Sequence, residues 1–437
     1  MRKTSYLTIM LTIPIALLVA VGDARAQSED APKVEVGVQF SSLTLFPPRS
    51  FGDVTEPGFG GRLTYNLTDN IAVEAEGNFF PHKNFLGEVS GGRMLQGQFG
   101  VKAGKRFEKW GIYGKVRPGV VSFGETVRYE LEPQTSFIFV RAERERKTHF
   151  STDVGGVLEF YPSRRIVARF DAGDTIIRYG EHQTIEPFTI PGQPVLVTAR
   201  AETKHNFQFS AGVGYRFGDD SHDNDGTQSN AGVGDNNGDV PRFEIGAQFT
   251  SLSFNQPSSI FTSLTAPRGL VTEPGFGARF TVNLNRHVAL EAEGNYFTRN
   301  NFSSSPPPSG HAYQGQFGIK AGKRFDKWGV FAKARPGFVG FTKVLEVSGI
   351  QTIEFEGQQF SFPTFSTNRK EYFSTDVGGV LEFYPSRRIV ARFDAGDTII
   401  RYGEREGVGI FAASPPIRVP SETKHNFQFS AGIGLRF

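Results

Sequence analysis

Cysteine is absent from this 437-residue sequence, and apolar residues are scarce: 38% are hydrophobic and mean hydropathy is −0.30. Without cysteine, neither disulfides nor thiolate chemistry can operate. A polytopic helical membrane protein needs many apolar runs of about 20 residues, so that class is excluded. Neither sign of charge dominates, with 48 Lys and Arg against 45 Asp and Glu. Yet aromatics reach 13%, with 43 Phe, and there are 51 Gly. That is too aromatic and too mixed for a disordered chain. The aromatics must be buried or must face something other than water.

Residues 1–26 have the layout of a secretory signal. Arg2 and Lys3 form a basic start, Tyr6 to Val21 an apolar core, and Ala24-Arg25-Ala26 a small-residue cleavage site before Gln27. No cysteine follows the site, which excludes a lipoprotein. Removing Arg2, Lys3, Arg25 and Asp23 takes the 48 basic and 45 acidic residues to 45 and 44. That balance lacks the basic footprint of a nucleic-acid binder.

The rest is one unit written twice, which sets the domain organisation. The 32-residue string from Phe150 to Glu181 recurs unchanged from Phe373 to Glu404. The segments starting at Thr55, Glu74, Lys102 and Glu202 return at Thr272, Glu291, Lys320 and Glu422. The copies span 33–217 and 242–437. Residues 218–241 between them are rich in Gly, Asp, Asn and Ser, the composition of a flexible linker.

Within each copy, apolar residues alternate with polar ones, so the expected fold class is all-β. In the last segment Phe427, Phe429, Ala431, Ile433, Leu435 and Phe437 share one face. Asn426, Gln428, Ser430 and Arg436 share the other. Eight strands per copy follow, in the first near 33–44, 57–67, 71–80, 94–107, 110–123, 148–161, 165–178 and 204–217. Connections alternate between short turns and loops of about ten residues or more, at 46–56, 81–93, 124–147 and 182–203. A soluble sandwich has no reason to gather its short turns at one end. An outer-membrane barrel has short periplasmic turns, long extracellular loops and an even strand number. A lipid environment also demands closure, because it cannot satisfy an open sheet edge.

The apolar face, including Val36, Val38, Phe40, Phe59, Leu63, Leu158 and Phe160, is expected to meet lipid. The polar face is expected to fill the lumen, which in an eight-stranded barrel is just wide enough for side chains. Parity puts Glu35, Arg62, Glu74, Glu76, Lys102, Arg106, Lys115, Arg117, Asp153, Glu159, Arg169 and Asp171 there in the first copy. The second matches with Glu244, Arg279, Glu291, Glu293, Lys320, Arg324, Lys333, Arg335, Asp376, Glu382, Arg392 and Asp394. The first set holds six charges of each sign, as a plug of ion pairs requires. Trp110 and Trp328 beside one short turn, and Tyr161 and Tyr384 at another, suggest an interfacial aromatic belt. Pro118 and Pro336 fall inside strand five, where a missing N–H predicts a bulge or kink. Stretches at 136–140 and 352–355 suggest that the hairpin of strands five and six extends beyond the membrane.

These features, with the terminal segment HNFQFSAGIGLRF, resemble the eight-stranded outer-membrane barrel family of the outer membrane protein A transmembrane domain, in tandem. The resemblance covers nearly all of both copies. It implies a Gram-negative outer-membrane location, lipid contact and periplasmic termini. It also implies recognition by the outer-membrane insertion machinery through Phe427, Phe429, Ile433, Leu435 and Phe437. It implies no cofactor.

Two closures are open to such a chain: two eight-stranded barrels, or one sixteen-stranded barrel in which the last strand of one copy pairs with the first of the other. The linker of about 23 residues favours two. Catalytic signals are weak. Glu74 and Glu76 are two apart on a strand, which places both among the lumen cations. His205 and His425 lie on the lipid-side parity near loop ends, and no metal-ligand spacing such as HExxH occurs. The glycines of PGFGGR open a strand, not the helix of a phosphate loop. The expected role is non-enzymatic: plugged barrels displaying loops to ligands the sequence does not name. A porin-like channel and an outer-membrane lipid-modifying enzyme are the alternatives.

Overall fold

A computed structural model of the protein describes residues 32–48, 53–84, 87–133, 138–190, 193–217, 240–258, 270–301, 309–355, 358–407 and 417–437. The expected signal, 1–26, and nearly all of the linker lie outside them. The first copy forms β1 (Val34–Leu45), β2 (Val54–Asn66), β3 (Ile71–Asn84), β4 (Gly92–Arg106), β5 (Trp110–Pro133), β6 (Ile138–Phe160), β7 (Ile166–Tyr179), β8 (His182–Ile190), β9 (Gln193–Ala199) and β10 (Glu202–Phe217). The second forms β11 (Phe243–Asn255), β12 (Leu270–Asn283), β13 (Val288–Asn301), β14 (Ser309–Arg324), β15 (Trp328–Phe355), β16 (Gln358–Ser386), β17 (Ile389–Tyr402), β18 (Arg405–Gly407), β19 (Ile417–Val419) and β20 (Glu422–Arg436). The fold is all-β and antiparallel.

Neighbours in sequence pair around each copy, and the first strand is bonded on both edges. β1 pairs with β2 and also with β10, from Val34↔Phe217 to Thr44↔Phe207. β11 likewise pairs with β12 and with β20. A lone bridge, Thr55↔Thr272 between β2 and β12, joins the two circuits into one sixteen-stranded sheet.

The period-two pattern sorts the side chains. Val36, Val38, Phe59, Leu63 and Phe99 stand exposed on the outside, while Glu35, Arg62, Glu74 and Lys102 are buried inside. So many exposed aromatics on a water-facing wall would be an aggregation liability. Against lipid they are the matching surface.

Four expectations need correction. Phe40, Leu158 and Phe160 do not face lipid. They join Phe170 and Phe209, and their second-copy counterparts Phe249, Phe383, Phe393 and Phe429, in a core between the copies. Pro118 and Pro336 cause no bulge: Pro118 stays in register opposite Thr152, and Pro336 opposite Thr375. Proline removes one donor, so it interrupts pairing on one side only. Register shifts instead fall between Phe123 and Thr126 and between Phe341 and Val344. Third, Tyr161 and Tyr384 are buried, not part of an outer belt. Fourth, the loop at 182–203 holds its own hairpin, β8–β9. The β5–β6 and β15–β16 hairpins do run on beyond the barrel wall, pairing as far as Pro133↔Ile138 and Phe355↔Gln358.

Candidate functional site: the filled lumens

Alternation delivers one lumen side chain every second residue, and antiparallel register aligns those of neighbouring strands. The first lumen is thereby layered from the short-turn end to the long-loop end.

At the turn end the Tyr161 and Tyr113 hydroxyls lie 2.8 Å apart, and Tyr161 donates to Glu159 at 2.8 Å. Arg106 and Arg216 stack on the Tyr161 ring, at 4.6 and 4.5 Å from its centroid. Above lies the ion-pair layer. Arg117 is fully buried between Glu76 and Asp153, with Asp153 2.6 Å away. Arg169 is gripped by Glu74 and by Asp171 at 2.8 Å. Lys102 reaches Glu159 at 2.5 Å and Glu74 at 3.6 Å. Lys115 bridges Asp153 and Asp171 at 2.8 and 3.3 Å. Arg62 bonds Glu35 at 2.9 Å. Glu74, Asp153, Glu159 and Asp171 each meet more than one cation, which offsets the desolvation of the set.

The next layer is amides and hydroxyls. Gln39 donates to Asn78 at 3.0 Å, Asn78 to Gln96 at 2.8 Å, and Gln96 to Gln208 at 2.9 Å. The Ser41 and Ser210 hydroxyls meet at 2.7 Å. Gly60, opposite Asn78, makes room for it: a Cβ there would stand 1.9 Å from Asn78 Oδ1. At the long-loop end an apolar cap closes the lumen, built of Leu43, Phe80, Met94, Val121, Phe123, Ile177 and Tyr179.

The second lumen repeats this plan. Arg335 sits between Glu293 and Asp376, each 2.5 Å away. Arg392 holds Glu291 and Asp394, Lys320 holds Glu382, and Lys333 holds Asp376. Its cap is Leu252, Phe254, Phe297, Val339, Phe341, Ile400 and Tyr402. The copies differ at the turn end. Glu244 turns to Arg436 at 3.2 Å and Arg324 at 3.6 Å. Arg279 takes Gln248 and, at 3.5 Å, Asp394.

All the lumen residues read from parity thus lie in these layers, with Arg106 the least buried of the first set. Parity counting missed Arg216, Arg436, Glu56 and Glu273, all buried. Arg216 and Arg436 were legible: they alternate with Phe217 and Phe437 in the terminal strands. Glu56 lies opposite Leu43, within the 46–56 connection where alternation assigns no face. Adding Arg216 and Glu56 keeps the first lumen balanced.

Outside the lumens, His205 Nδ1 lies 2.5 Å from Asp174, and His425 Nδ1 2.5 Å from Asp397, on the exposed rim near the long loops. Also at that end, Glu422 accepts from the Ser258 N–H and hydroxyl, from Arg405 and from Lys424. Burial alone would raise its carboxyl, but Lys424, the Ser258 N–H and Arg405 hold it down at about 2. Of the terminal-strand residues, Phe427, Leu435 and Phe437 point outward and exposed, while Phe429 is buried against Phe40. Among the described residues no group of three or more His, Asp or Glu is arranged to hold a metal ion.

Comparison with known proteins bears on this architecture. Residues 14–220 match the family model described as outer membrane protein beta-barrel domain. None of the curated proteins matches the chain. Among solved structures, the N-terminal β-barrel domain of Pseudomonas aeruginosa OprF is similar at 14% identity over 42% of this chain and 97% of that one, with a TM-score of 0.23. Neisserial surface protein A is similar at 14% identity over 45% and 97%, with a TM-score of 0.24. A Pseudomonas aeruginosa FadL homologue is similar at 10% identity over 93% and 91%, with a TM-score of 0.27. Residues 14–220 thus match the outer membrane protein beta-barrel domain family, and the chain has the all-β antiparallel fold of an outer-membrane barrel.

Proposed function

We propose that the chain forms two eight-stranded barrels side by side in the outer membrane of a Gram-negative bacterium, each plugged, and that it is a non-enzymatic structural or surface-interaction protein working through its long loops. The observation that carries this reading is the lumen itself: ion pairs, amides and an apolar cap in series, in both copies. A water-filled channel needs a polar, open path, and the cap interrupts it. Closure of bonding within each copy supports two barrels over one sixteen-stranded pore.

The protruding hairpins support a surface role because they have diverged more than the lumens. The β5–β6 ribbon carries Arg128, Glu130, Arg141, Glu143 and Arg144. The β15–β16 ribbon exposes Ile350, Ile353, Phe362 and Phe365. In this reading the short turns and termini are periplasmic, residues 1–26 are a cleaved signal, and the outward Leu435 and Phe437 are read by the insertion machinery.

Planar-bilayer recording on the purified chain tests it. The expected result is a silent membrane. Steady openings at the nanosiemens scale would overturn the plugged reading in favour of a porin-like channel.

A further inference from the structure

The apolar cap of the first lumen is completed by a stopper that is not part of the wall. Between β3 and β4, residues 87–91 form a tight turn in which the Gly87 N–H donates to Ser90 O at 2.8 Å. The turn sends the Val89 side chain into the cap, where it is buried. The Val127 N–H donates to Gly87 O at 3.0 Å and the Glu125 N–H to Gly91 O at 3.2 Å, which tie the turn to β5. Side chains pin the rest. Lys147 donates to Glu88 O at 3.0 Å. Thr184 donates to Glu88 Oε1 at 2.6 Å, and His182 Nε2 lies 3.3 Å from Oε2. His149 Nε2–H donates to Val89 O at 2.8 Å.

Among these pins His149 is buried without a counter-charge of its own. Its ring lies 5.8 Å from the Phe123 ring and 4.9 Å from that of Tyr179. The ionisable groups around it are engaged elsewhere or positive. Lys147 on the same strand holds Glu145 at 3.1 Å. Glu88 is taken by Thr184 and by His182 of β8, and Glu125 of β5 by Lys83 and Arg144. The site stands at the loop-end margin of the wall, where the neighbouring Thr148 bonds Ser122 at 3.0 Å on the outside. The second copy has Tyr372 and Arg405 where the first has His149 and His182, and neither type titrates near neutral pH.

We propose that residues 87–91 are an acid-released stopper with His149 as its sensor, and that only the first copy carries this switch. A protonated His149 can still donate to Val89 O, but it adds a cation beside Lys147 and His182 in a buried pocket. Water reaches that charge only when the turn lifts. Closure is therefore complete above the ordinary imidazole range and is lost as pH falls below it. Lifting the turn uncovers the apolar cap at the long-loop end, while the amide and ion-pair layers beneath stay in place. The inference rests on the reading of the lumens as plugged.

The chain has no cysteine, which makes the test direct. A Val89→Cys variant of the full chain in lipid vesicles carries one thiol, inside the first cap. Its labelling by dipyridyl disulfide is followed at pH 7.5 and pH 5, each rate divided by that of the same variant unfolded at the same pH. The normalised rate is expected to rise roughly tenfold in acid, the effect of about one unit of displaced titration. A Val344→Cys variant, with its thiol in the second cap, is expected to show no such rise. Adding His149→Tyr, the residue of the second copy, to Val89→Cys is expected to abolish the rise, and a heat-modifiability gel verifies that the barrels remain folded. Equal labelling of Val89→Cys at the two pH values overturns the proposal. So does an acid response that survives His149→Tyr, or one that Val344→Cys shares, because the proton then acts elsewhere. Nanosiemens openings at neutral pH would overturn the plugged reading instead, and the labelling would still judge the stopper.

Discussion

Phe170 and Phe393, the same residue in the two copies, stack on each other across the interface, with centroids 5.2 Å apart and planes 8° from parallel. Around them Phe40 stacks on Phe429 at 4.1 Å, and Phe249 on Phe209 at 4.1 Å. Phe40 corresponds to Phe249, and Phe209 to Phe429. Each face therefore contacts its own duplicate, the arrangement of an isologous two-fold interface, here within one chain.

A double-mutant cycle should detect that stack. Phe170→Ala and Phe393→Ala are expected to couple by about 0.5–1.5 kcal/mol in urea unfolding from lipid vesicles. Strictly additive effects would mean that the two rings do not meet in the membrane.

Arg117 and Arg335 should be among the costliest residues to neutralise. Arg117→Met strands Glu76 and leaves Asp153 with Lys115 alone in a buried lumen, an expected loss of about 3–5 kcal/mol. The triple variant that also carries Glu76→Gln and Asp153→Asn should recover most of it. A triple variant no more stable than the single one would refute the network.

Glycine tolerance should depend on the face. Gly60→Val drives a side chain into Asn78 and is expected to cost about 1–3 kcal/mol, and Gly277→Val should do the same against Asn295. At Gly97, on the lipid side, a Cβ would meet nothing within 4 Å, so Gly97→Ala should be near neutral. Equal melting of the Gly60 and Gly97 variants would contradict the assignment of faces.

Acid should loosen the long-loop end at Glu422, which stands beyond the lipid-facing band. Its carboxyl is depressed in the folded chain to about 2, from about 4.3 when unfolded. The stability it contributes is complete above the unfolded value and is lost as pH falls toward 2. Hydrogen exchange at the Ser258 amide should accelerate across that interval, and Glu422→Gln should show the faster exchange already at neutral pH. Unchanged protection in both would remove Glu422 as the anchor.

Much of this was legible because a strand encodes its two faces with a period of two. The charges from Glu35 to Asp394 were assigned to the lumen by parity, and the structure groups them there. Parity cannot tell lipid from a neighbouring protein wall, since both accept Phe; hence Phe40, Phe160 and Phe429 were assigned to lipid but are buried between the copies. The apolar caps were invisible for a related reason. Leu43 and Phe123 continue the polar face of their strands into a region the pattern assigns to strand ends and loops. Nor does a tyrosine next to a turn reveal whether its ring lies outside as an anchor or, like Tyr161, inside over a carboxylate.

The sequence by itself determined the duplication, the all-β class, the alternation of faces and most of the buried charges of each copy, because these are properties of order and periodicity. Only the tertiary structure decided which edge β1 bonds, which cation each carboxylate takes, and that Phe170 meets Phe393. Those depend on which strands close on which. Two near-identical copies offer near-identical edges, and only the packed chain chooses between them.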